Sequence, residues 1–67
     1  MTTIWPDAEG RPIACREKVK VLAENHAEAT QLLRDALEDA VLMGVDEGAM
    51  RRILADLVAG LPSPRRP

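Results

Sequence analysis

Two side chains in this chain have the chemistry to bind a ligand or to react, Cys15 and His26, and each occurs once. A thiolate and an imidazole are soft and borderline metal ligands, and a thiol near a helix start has its pKa lowered by the helix dipole. Arg16 and Lys18 flank the cysteine and add to that effect. Cys15 is therefore a candidate for redox sensing or an intermolecular disulfide, and His26 for a metal or haem ligand. Their spacing limits both roles. On a helix, eleven residues correspond to about 16 Å of rise, so the two cannot hold one ion within one chain. They would meet only across an antiparallel dimer. One cysteine and one histidine also fall short of the four ligands of a structural zinc site. The Glu-x-x-His motif of di-iron bundles is not met, because Ala23 stands three residues before His26. The simpler reading of His26 is a partly buried polar residue that sets the register between helices.

Catalysis finds no support in the residue types. No second histidine is present, no serine falls within the helical region, and Glu24 and Glu28 share one exposed helix face. The expectation is a protein that is not an enzyme and carries no cofactor.

The element that positions both residues is a long helix. From Ala14 to Met43 there is neither Gly nor Pro. Cys15, Val19, Leu22, His26, Ala29, Leu33, Ala36, Ala40 and Met43 follow at alternating spacings of four and three, a heptad seam. Glu17, Glu24, Glu28, Gln31, Arg34, Asp35 and Glu38 form the solvated side, where Arg34 and Glu38 have the i, i+4 spacing of an ion pair. Gly44 suits the left-handed residue that ends a helix, Val45 the apolar position after it, and Asp46 an N-cap with Glu47 in the first turn behind it. Met50, Ile53, Leu54, Leu57, Val58 and Leu61 then recur at helical spacing until Gly60 and Pro62. The spacing predicts an all-α antiparallel helical hairpin, with a long helix over about 14–43 and a short one over about 46–60. Residues 1–12 read as an extended N-terminal arm with a turn centred on Pro6-Asp7, residues 13–61 as the hairpin and residues 62–67 as a disordered tail. Pro12 suits the first turn of the long helix.

The short helix reaches only the half of the long one nearest the turn, roughly Ala29 to Met43. Val19, Leu22, Ala23 and His26 then need other cover. Either the arm folds back and lays Ile4, Trp5 and Ile13 over them, or a second protein does. Leu37 and Val41 flank the seam on one side and Leu32 and Val21 on the other, while Leu42 falls on the polar side. That arc is wider than the roughly 100° of a single helix contact. With 67 residues and no possible intrachain disulfide, the missing stabilisation points to another chain, most simply a homodimer forming a four-helix bundle or a larger complex. Trp5, Val19, Leu22, His26, Leu32 and Leu42 are the candidate interaction residues.

Asp35, Glu38 and Asp39 lie near the negative end of the long helix, with Arg51 and Arg52 placed by the hairpin to offset them. Charged residues make up 30% of the chain and the net charge is −2, so there is no electrostatic reason to bind nucleic acid or an anionic membrane. Helix-turn-helix DNA binding would need several base-reading side chains on the second helix, which offers Arg51 and Arg52 and is otherwise largely apolar. Trp5 is the only aromatic residue, which argues against an all-β fold. Residues 1–12 lack a basic start followed by an apolar run, and the longest apolar run is Ala40-Val41-Leu42-Met43, so neither a secretory signal nor a membrane span is expected. The expected location is cytoplasmic. Pro64-Arg65-Arg66-Pro67 has the PxxP form, and its simpler reading is a solubilising tail.

Overall fold

The computed structural model describes residues 3–65. Two helices form, α1 (Arg16–Leu42) and α2 (Glu47–Ala59), and no strand occurs among the described residues. The chain divides into two compact units, one ending at Leu32 and the other beginning at Leu33, so the division falls inside α1. Arg66 and Pro67, half of the PxxP sequence, lie outside the described residues.

The first unit holds the arm and the N-terminal part of α1. The arm carries a turn, as the sequence suggested, and closes on itself through it. The Asp7 N–H donates to the Arg11 carbonyl at 2.7 Å and the Ile13 N–H to the Trp5 carbonyl at 2.7 Å, with Pro6 and Pro12 bridged between them. Those two prolines oppose each other at the pair whose backbone makes no ladder bond, where a missing N–H costs nothing. The turn centres on Ala8 and Glu9 rather than on Pro6-Asp7: the Gly10 N–H donates to the Asp7 carbonyl, and the Asp7 carboxylate accepts from the N–H groups of Glu9 and Arg11 at 2.9 Å each. Gly10 takes the left-handed conformation at φ 84° that closes such a turn. Pro12 therefore serves the turn and not the first turn of α1, which starts four residues later.

The second unit is the hairpin proper, in which α2 packs against the last turns of α1. Its connection follows the expected local chemistry. The Val45 N–H donates to the Ala40 carbonyl and the Gly44 N–H to the Val41 carbonyl, the paired bonds of a Schellman motif, with Gly44 at φ 100°. The Asp46 carboxylate caps α2 by accepting from the Ala49 N–H at 2.9 Å. Around this turn sits the small core. Ala40, at 6% exposure, is the only buried hydrophobic residue among those described. Leu33, Ala36, Leu37, Ala49, Met50 and Leu54 are half-buried. Three of these contact residues are alanines, which let helices approach but remove little apolar area from water.

Candidate functional site

In the first unit the arm returns to α1 through one aromatic contact. The rings of Trp5 and His26 meet edge to face, with centroids 5.6 Å apart and planes at 74°. Of the two ways to cover this stretch of α1, the arm takes part of it. Trp5, Ile13, Val19 and Leu22 are half-buried, whereas Ile4 stays exposed. His26 is itself exposed and not partly buried. Ile13, Glu17, Lys18, Val21 and Leu22 line an open depression of about 420 Å³.

Cys15 is exposed and immediately precedes α1. The backbone N–H of Lys18 lowers the thiol's pKa below its ordinary value of 9.0, assisted by the Glu17 N–H and by the Lys18 charge. This is the N-cap arrangement with sulfur in place of oxygen, and it favours the thiolate. Among the described residues no group of three or more His, Cys, Asp or Glu side chains is placed to hold a metal ion.

In the second unit the apolar surface is open. Met50, Leu54 and Leu57 follow at spacings of four and three, one line along α2, and Leu61 comes four residues later, beyond the helix's end at Ala59. Met50 and Leu54 are half-buried, but Leu57 and Leu61 remain 55% and 63% exposed. Ile53 and Val58 flank that line and are also exposed. At 100° per residue the arc from Ile53 to Val58 is about 140°, more than one helix contact covers. Val41 and Leu42 at the end of α1 and Met43 just after it are exposed near the turn, and Leu37, Val41 and Leu42 with Glu38 and Glu47 line a second open depression. Leu32, in the first unit, is exposed as well. The interaction residues named from the sequence include none of α2; the width of its apolar arc was the available signal.

The charges near the turn are paired along each helix. Arg34 meets Glu38 at 3.2 Å, as the spacing predicts, and Arg51 meets Glu47 at 3.1 Å on its own helix. Among the described residues no helix is long and apolar enough to cross a membrane. Comparisons of the chain with family models, with curated proteins and with solved structures give no match.

Proposed function

We propose that this chain is a small, non-catalytic accessory or regulatory protein that acts by helix-mediated association with another protein chain, as a homodimer, as an added subunit of a larger complex, or both. The observation that carries this reading is the open apolar surface of the hairpin: Ile53, Leu57 and Val58 on α2, and Leu61 just beyond its end, are all more than half exposed, while Ala40 alone is buried among the described hydrophobic residues. Singly exposed apolar residues are ordinary, but a contiguous set on one element marks an association surface. Neither nucleic acid nor membrane enters this reading, and its setting is cytoplasmic. Purification of the chain from its native host, followed by mass spectrometry and sedimentation, tests it. A stoichiometric partner or a self-associated species is the expected result. A chain that is monomeric both in host extract and when pure would overturn it.

A second reading rests on a separate observation, the exposed Cys15 thiol with its lowered pKa. In that reading the chain is a redox-responsive helical module, or a metal- or haem-responsive one in which Cys15 of one copy meets His26 of another. Treatment with a mild oxidant followed by non-reducing electrophoresis separates the two. The second reading requires a covalent dimer that vanishes in Cys15→Ala, whereas the first requires association that survives this substitution.

A further inference from the structure

We draw no further inference here: the strongest candidate, the unpartnered apolar face of α2 around Ile53, Leu57 and Val58, lies open along the helix, and nothing in the structure shows what covers it.

Discussion

Trp5 and His26, twenty-one residues apart in the chain, meet edge to face at 5.6 Å and join the arm to α1. The arm holds its own shape through backbone bonds and the Asp7 carboxylate, so this ring pair governs whether it stays on the helix and not whether it folds. An aromatic pair of this geometry contributes about 0.5–1.5 kcal/mol beyond area burial. His26→Ala should therefore release the arm while leaving α1 intact. The single tryptophan reports this directly: the parent's emission should be blue-shifted relative to the denatured chain, and His26→Ala should move it toward the red with helical circular dichroism unchanged. An emission maximum in the parent equal to that of the denatured chain would show Trp5 to be fully solvated.

Gly44 is the residue on which the hairpin turns. Its φ of 100° lies in the region that side chains other than glycine rarely adopt, and no atom crowds the site, so the cost of a side chain here is conformational. Gly44→Ala should destabilise the hairpin by about 1–2 kcal/mol. The check is the midpoint of urea unfolding; a midpoint unchanged from the parent contradicts the assignment of Gly44 as the left-handed cap.

Asp46 supplies the only side-chain cap seen on α2. Removing its carboxylate in Asp46→Ala leaves the Ala49 N–H to solvent and should cost about 1 kcal/mol, while Asp46→Asn should retain most of that stability. Equal losses in the two variants would mean that the charge, and not the hydrogen bond, is what matters.

Cys15 should react with iodoacetamide at a lower pH than the same thiol in the unfolded chain, because the N–H groups of Lys18 and Glu17 and the Lys18 charge favour its thiolate. The sign of the linked stability follows. Between the lowered native pKa and the ordinary value of 9.0, the unfolded chain binds more protons than the folded one. Stability therefore rises with pH through that window, is fully present above it, and is lost as pH falls through the native value. Cys15→Ala should abolish this pH-dependent component, and an identical pH profile in the two proteins would refute the capping role.

Much of the local structure was legible in the residues themselves. Both helices, the Gly44-Val45-Asp46 connection and the Arg34–Glu38 pair follow from signals that act within a few residues: helical periodicity, a left-handed glycine, a carboxylate over free N–H groups, and i, i+4 charge spacing. The first twelve residues were harder, since two prolines and a glycine fit several turns equally well. Only the pairing of Pro6 with Pro12 and the bonds between Trp5 and Ile13 and between Asp7 and Arg11 decided among them.

The hairpin's apolar surface divides along the same line. Its sequence alone determined that α2 carries an arc from Ile53 to Val58 too wide for one contact, because residue type and 3.6-residue periodicity are local properties. Only tertiary structure decided how much of that arc is covered. Met50 and Leu54 pack near the alanine-rich turn, while Leu57, on the same line, and Leu61, just beyond the helix, stay open. Periodicity assigns a residue to a face but not the distance over which two helices remain in contact, and that distance depends on the packing of both helices at once.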